Sequence, residues 1–224
     1  MLFRSPVAVN SYLYTMVTKC RLFRSNPDER RDHIIAVAAE VFAQEGYSAS
    51  SMSTIAKRVG GSKATLYKYF PSKEHLFESV MRWLCERVLA PLRDLRSSDE
   101  DDLESLLTAF GAAFLTKIYE TVSLDVHRLI QSEGMRFPEL GQAFFRSGPN
   151  AVVEELRATL ERFQVAGQIA CDDTVLAASQ FLGMLRGDQH LRFSVGLLPA
   201  PDATEIERQA RHAAHIFVSG LRPL

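Results

Sequence analysis

Paired cysteines, long apolar runs, alternating β-branched stretches and catalytic signatures are all missing from this chain, and each absence removes a class of protein. Of 224 residues, three are cysteine, at Cys20, Cys85 and Cys171. They are odd in number, far apart and without paired spacing, which fits a reducing cytoplasm rather than a disulfide framework. Buried structural thiol is the common state for such residues, with a redox switch as the alternative. The six histidines form no metal motif. His212 and His215 could share a helix face, but without an acidic or cysteine partner nearby they read as surface or interface residues, and no metal or cofactor is implied. No phosphate-cradling glycine loop, nucleophile elbow or zinc signature occurs, so an enzyme is disfavoured.

No run of alternating β-branched residues bounded by hairpin turns exists, and no repeat, so the expected fold is all-α. A hydrophobic fraction of 46% allows a substantial core in one or two domains. Residues 1–26 are mildly apolar, but Arg4, Pro6, Asn10, Lys19 and Arg21 interrupt them, leaving neither a membrane span nor a signal peptide. They are expected to form a flexible extension of a cytoplasmic protein, with a basic arm near DNA as the alternative and Met16 as an alternative start.

Acidic residues are absent from Gly46 to Lys73, where Lys57, Arg58, Lys63, Lys68 and Lys73 stand. The whole chain has a formal charge of -1, yet residues 1–73 hold 11 Lys/Arg against 5 Asp/Glu, a surplus of +6 that leaves -7 for the remainder. Phosphates favour such a surface, although a solvated cationic helix face would look the same by charge alone. The pattern within SMSTIAKRVGGSKATLYKYFPSK decides between them. Ser51 is a good N-cap, Ile55, Ala56 and Val59 recur at helical spacing, and Gly60-Gly61 permits a tight reversal before a second short helix that exposes Lys63, Thr65, Tyr67, Lys68 and Tyr69. This is a helix-turn-helix.

Asn26-Pro27-Asp28 starts the helix before it, which runs to about Gln44 with Ile34, Ile35, Val37, Ala38, Val41 and Phe42 as its apolar stripe. Tyr47 should close that small core. A fourth helix begins at Pro71-Ser72, and its seam Leu76, Phe77, Val80, Met81, Leu84 and Val88 ends near Pro91, connecting two domains. The polar stretch RSSDEDD, Arg96 to Asp102, then places acidic groups at the start of a fifth helix, where the macrodipole favours them. Leu103, Leu106, Leu107, Phe110, Phe114 and Ile118 give that helix one buried face. Two long helices close the chain, from about Thr174 to Arg192 and from Ala203 to Leu221.

The run IIAVAAEVFAQEGYSASSMSTIAKRVGGSKATLYKYFPSKEHLF resembles the N-terminal domain of the TetR family of transcriptional regulators over about residues 28–80. The amphipathic first helix ending at Gly46-Tyr47, the Ser51 cap, the Ile55-Ala56 pair and TLYKYF followed by Lys73 carry the likeness together. One departure is Gly61, where the family usually has an apolar residue packing into the core. A second piece, SLDVHRLIQSEGMRFPELGQAFFRSGPNAVVEEL, is similar to the C-terminal domain of the AefR-like group through Arg128-Leu129-Ile130, Glu133, the Arg136 to Leu140 break and Phe144-Phe145 before Gly148-Pro149.

The resemblance implies about nine helices: a three-helix DNA-binding domain at 27–72 and a helical effector-binding and dimerisation domain at 73–224. It implies base-facing roles for Lys63, Ala64, Tyr67 and Tyr69 and phosphate contacts for Ser51, Thr65, Tyr67 and Lys73, with Lys68 on the same surface. Lys63 can donate to guanine, whereas Ala64 and the tyrosines offer little hydrogen bonding, so some specificity would come from DNA shape. It implies an effector cavity lined from Phe110, Phe114, Ile118, Phe145 and Phe181, with His127, Arg128 and Gln131 as polar candidates. Two readings stand for Arg128, an interhelical ion pair and a contact to a carboxylate effector, and His127 can equally be a structural histidine.

Phe181, Leu185, Ala210, Ala213, Ala214 and Phe217 are the expected centre of a homodimer, with intrachain core as the rival reading for about half of them. The partners implied are a double-stranded DNA operator, a second copy of the chain and a small, hydrophobic effector, with no membrane. A repressor released by its effector is the leading function, and a DNA-binding architectural or interaction protein without an effector is the alternative.

Overall fold

The computed structural model describes residues 27–96 and 102–222, so the amino-terminal extension, with Cys20, Met16 and the Asn26 cap, lies outside the described residues. So does most of the polar stretch after Arg96. All elements among the described residues are helices: α1 Pro27–Glu45, α2 Met52–Val59, α3 Lys63–Tyr69, α4 Lys73–Arg96, α5 Leu103–Ile118, α6 Thr121–Glu133, α7 Pro138–Ser147, α8 Pro149–Val165, α9 Thr174–Ser194 and α10 Ala203–Gly220. Pro138 and Pro149 each open a separate helix, and Pro149 occupies a first-turn position where its missing N–H costs nothing. No helix among the described residues is long and apolar enough to cross a membrane.

The described residues divide into two compact units: residues 27–84 with 125–145, and residues 85–96 and 102–124 with 146–222. In the first, α1 buries Ile34 through Ala39, Val41 and Phe42. Ser51 caps α2 by accepting from the Thr54 amide at 3.0 Å. Gly60 ends α2 at φ 75°, and its amide and that of Gly61 donate to the Lys57 and Ala56 carbonyls at 3.2 and 3.1 Å. This paired closure satisfies orphan carbonyls and needs a left-handed residue, hence glycine. Tyr47, 1% exposed, closes the core as expected. Its ring lies 5.7 Å from Phe42, 5.3 Å from Phe77 and 5.2 Å from Phe137 of the break before α7.

The turn between α1 and α2 is held by charge. The Glu133 carboxylate, at the end of α6, accepts from the Tyr47 and Ser48 amides, both at 2.7 Å. Lys73, the first residue of α4, donates to the Tyr47 and Ser50 carbonyls at 2.7 and 3.0 Å, with its ammonium 4.1 Å from the Tyr47 ring centroid. Gly46 is at φ 79°, and a Cβ there would meet Glu133 Oε1 at 2.6 Å. Glycine is therefore required twice over, by backbone and by space.

In the second unit, Asp102 caps α5 by accepting from Ser105 at 2.9 Å. Helix α5 packs closely on α10, because Gly111 leaves room: a Cβ there would sit 2.8 Å from Leu185 Cδ2 and 3.1 Å from Ala210 Cβ. Phe110, Phe181 and Phe217 stack through the centre, with centroids 6.5 and 5.0 Å apart. Helix α9 breaks at Gly187 (φ 50°, ψ -162°), and beside the break Gln209 Nε2 donates to the Leu185 carbonyl at 2.6 Å. Cys85 is buried, which pushes its thiol up to about 11, so it is a poor nucleophile near neutrality.

Gly61 behaves unlike its neighbour. It needs no left-handed backbone, an added Cβ would meet nothing closer than Arg30 Nη2 at 3.7 Å, and a void of about 10 Å³ lies between it and Ile34, Ala56, Val59 and Leu66. Gly61→Ala should therefore raise stability by about 0.4–1 kcal/mol, chiefly by restricting the unfolded chain. Chemical denaturation measures this directly, and a loss would mean that the methyl displaces Arg30.

Candidate nucleic-acid interface

Helix α3 is short, and its position rests on one anchor and one cap. Leu66 is buried, Phe70 beyond its end is 1% exposed, and Ser62 caps it by accepting from the Thr65 amide at 3.0 Å. Lys63, Ala64, Tyr67 and Lys68 are exposed, whereas Thr65 and Tyr69 are half-buried, with Tyr69 packed against the core of the unit. The Lys63 ammonium lies 5.7 Å from the Tyr67 ring centroid. Such a contact holds the lysine near the helix while its donors stay available.

The hydroxyls are more committed than their sequence positions suggest. Ser51 Oγ pairs with Thr54 Oγ1 as well as with the Thr54 amide, and Ser62 Oγ pairs with Thr65 Oγ1, each hydroxyl pair at 2.9 Å. Each retains capacity for one further partner. Ser62 and Thr54 were not singled out by sequence reasoning, although a serine three residues before a threonine at each helix start was the readable signal.

The cations divide into two groups. Arg58 donates to Gln44 at 2.9 Å and pairs with Glu45 at 3.2 Å. Lys73 was expected at a phosphate, but most of its donor capacity is spent on the Tyr47 and Ser50 carbonyls. Burial also pulls its ammonium below the ordinary lysine range, opposed by Glu74 and Glu133. It holds the turn with two of its three donors. Lys57, Lys63 and Lys68 are exposed and have no carboxylate partner among the described residues.

The eight residues expected around an effector fall into different units. Phe110, Phe114 and Phe181 are buried in the core of the second unit with Ile118 half-buried beside them. His127, Arg128, Gln131 and Phe145 belong to the first, where Arg128 and Gln131 are exposed and Phe145 is 53% exposed. Arg128 lies 4.0 Å from Asp125 on its own helix, so its ion pair is within the helix rather than between helices. Sequence reasoning missed Arg186, whose guanidinium lies 5.7 Å from the Phe114 ring centroid. Burial holds it below the usual arginine range, and no neighbouring charge offsets this. The buried Tyr119 hydroxyl and Gln209 Oε1 have no hydrogen-bond partner among the described residues.

The six residues expected at a dimer face need correcting. Phe181, Leu185, Ala210 and Ala214 are 0% exposed, Ala213 6% and Phe217 8%. Helices α9 and α10 turn these side chains into the core of their own chain. The apolar side chains they leave in solvent include Leu176, Met184 and Ile216.

Comparison with known proteins matches two stretches of the chain. The model of bacterial regulatory proteins of the tetR family matches residues 34–80, and that of the AefR-like transcriptional repressor C-terminal domain matches residues 105–220. The HTH-type transcriptional regulator UidR of Escherichia coli (strain K12) is 28% identical over 198 residues, covering 87% of this chain and 90% of UidR. The HTH-type transcriptional activator FasR of Mycolicibacterium smegmatis is 36% identical over 87 residues, 39% of this chain and 40% of FasR. The solved structure of the flavonoid-responsive regulator FrrA is 33% identical with a TM-score of 0.75, covering 88% of this chain and 98% of that one.

The division of the cations yields three separable outcomes. Lys63→Ala should lose about 1–3 kcal/mol of specific binding and relax the preference at one base position. Lys68→Ala should weaken selected and random duplexes alike and reduce the salt slope by about 1. Lys73→Ala should cost about 1–3 kcal/mol of stability and leave the salt slope unchanged. Binding titrations over a salt series, with thermal melts, check all three.

Proposed function

The chain belongs to the TetR family of transcriptional regulators, a DNA-binding family, and from that premise we propose that it is a cytoplasmic repressor. In this reading residues 27–72 bind a near-palindromic operator, while residues 73–224 dimerise and hold a small aromatic effector that releases the DNA. The exposed Lys63, Ala64, Tyr67 and Lys68 on a helix anchored at Leu66 and Phe70 support insertion of α3 into a major groove. Two such helices about 34 Å apart would read successive grooves of the duplex.

The observation that carries the effector half is the group of uncompensated polar atoms within an aromatic core. The half-buried Arg186 lies over Phe114. The Tyr119 hydroxyl and Gln209 Oε1 are buried without a partner among the described residues, and a buried polar atom left so costs about 1–3 kcal/mol. Water or a ligand must supply it. A planar, hydroxylated or carboxylated aromatic molecule would stack among the phenylalanines and answer the guanidinium, which fits the flavonoid response that FrrA carries in its name. Effector and DNA would then oppose each other through linkage.

For the homodimer, Leu176, Met184 and Ile216, exposed by 53%, 37% and 48%, replace the buried set as the proposed centre of the interface. Ile216→Glu should yield a monomer by sedimentation and cost operator affinity at least tenfold, since one head alone forfeits the second half-site. An unchanged dimer would move the interface elsewhere. For the effector, titration of the protein on its operator with a panel of flavonoids and aromatic carboxylates should release the DNA for at least one compound, and Arg186→Met should blunt that release. Undiminished operator affinity across a saturating panel would contradict the effector class.

A further inference from the structure

We propose that Glu133 is a positioning residue for DNA binding. Its carboxylate, reaching the turn between α1 and α2 from 86 residues away in sequence, fixes the start of α2 and through it the setting of α3. The inference rests on DNA binding, which the family establishes, and not on the effector reading above.

The turn is anchored with opposite polarity on its two sides. Glu133 takes the Tyr47 and Ser48 amides, and Lys73 takes the Tyr47 and Ser50 carbonyls. Ser50 Oγ gives the Tyr47 carbonyl a second bond, at 2.8 Å. The backbone of Tyr47 is thus gripped at both its donor and its acceptor, while its ring is wedged among Phe42, Phe77 and Phe137. Charge-assisted bonds at 2.7 Å are among the stronger and more directional contacts a backbone can make. Gly46 leaves the space that Glu133 Oε1 occupies, so glycine and carboxylate form one device. Ser51, which caps α2, follows Ser50 directly, and α2 leads through Gly60-Gly61 into α3.

Both arms of the grip are the terminal residues of helices whose sequences continue into the second compact unit. Helix α4 begins with Lys73 and passes Leu84; α6 begins at Thr121, before Asp125, and ends with Glu133. A helix rises about 1.5 Å per residue, and hydrogen bonds weaken rapidly beyond about 3.2 Å. A shift of α6 along its axis by one residue would therefore take both carboxylate contacts out of range. The two contacts to the turn require α6 to keep its axial position.

The test compares the parent protein with Glu133→Gln, which keeps one acceptor, and Glu133→Ala, which keeps none, using Met135→Ala, at a 97% exposed residue just beyond the same helix, as control. Binding is measured well below each variant's melting temperature on a duplex recovered by selection and on a scrambled duplex, over a salt series. Amide proton and nitrogen resonances of Tyr47 and Ser48 are recorded in parallel. The expected result is about tenfold weaker binding of the selected duplex for Glu133→Gln and a larger loss for Glu133→Ala. Scrambled-duplex binding stays within about twofold with parallel salt slopes, because no phosphate contact is removed. Both amide protons should move upfield, and Met135→Ala should match the parent.

Three results would overturn the proposal. One is unchanged selected-duplex binding despite moved resonances. Another is resonances that do not move at all. The last is equal loss on both duplexes in proportion to the unfolded fraction, which would make Glu133 a stability residue only. Should Glu133→Ala fail to fold, Glu133→Gln with its single retained acceptor carries the comparison.

Discussion

A recognition helix of seven residues cannot hold itself in place, so the DNA-binding head depends on the turn that precedes it. At Tyr47 an anion and a cation seize the two ends of one residue's backbone while three aromatic rings hold its side chain. Isolated helices as short as α2 and α3 are marginal in water, and their stability comes from the packed face and the caps. Ser51 and Ser62 serve as caps, Gly60 closes α2 left-handed, and Leu66 and Phe70 anchor α3 from below. What remains exposed is a short cationic and aromatic surface suited to phosphate and groove edges. The charge pattern fits this surface: from Gly46 to Lys73 five cations stand with no Asp or Glu among them.

The second unit solves a different problem. Its core is dense and aromatic, with α5 laid closely against α10 across Gly111, yet it contains polar groups that the packing does not satisfy. Cores this well packed tolerate such groups when something completes them. The break at Gly187 lies where Gln209 reaches across to the Leu185 carbonyl, next to Arg186.

Much of the head was legible in sequence because its signals are local. The Ser51 cap, the Gly60 reversal, the Ile55-Ala56 pair and Tyr47 as the closing aromatic each follow from neighbours within a few residues, and all stand in the structure. Glu133 could be marked as part of a family likeness, but nothing near it in sequence points to an amide at Tyr47. The bonds of Lys73 to the Tyr47 and Ser50 carbonyls were not legible, because carbonyl acceptors leave no trace in a charge count. The small and aromatic positions of α9 and α10 repeat with helical period, and that period does not distinguish burial against the same chain from burial against a second copy. The exposed Leu176, Met184 and Ile216 emerge only once the intrachain partners are known. Gly187 sits within an otherwise helical pattern, where a glycine can be tolerated without a break.

The most direct measurement is selection of random duplex DNA by the purified protein at moderate salt, followed by sequencing of the bound fraction. Specific recognition by paired α3 helices predicts a two-fold symmetric motif whose half-sites are centred about one helical turn apart. Enrichment of no motif over the sequence-independent background would contradict it, and would reduce the cationic surface of α3 to an electrostatic contact.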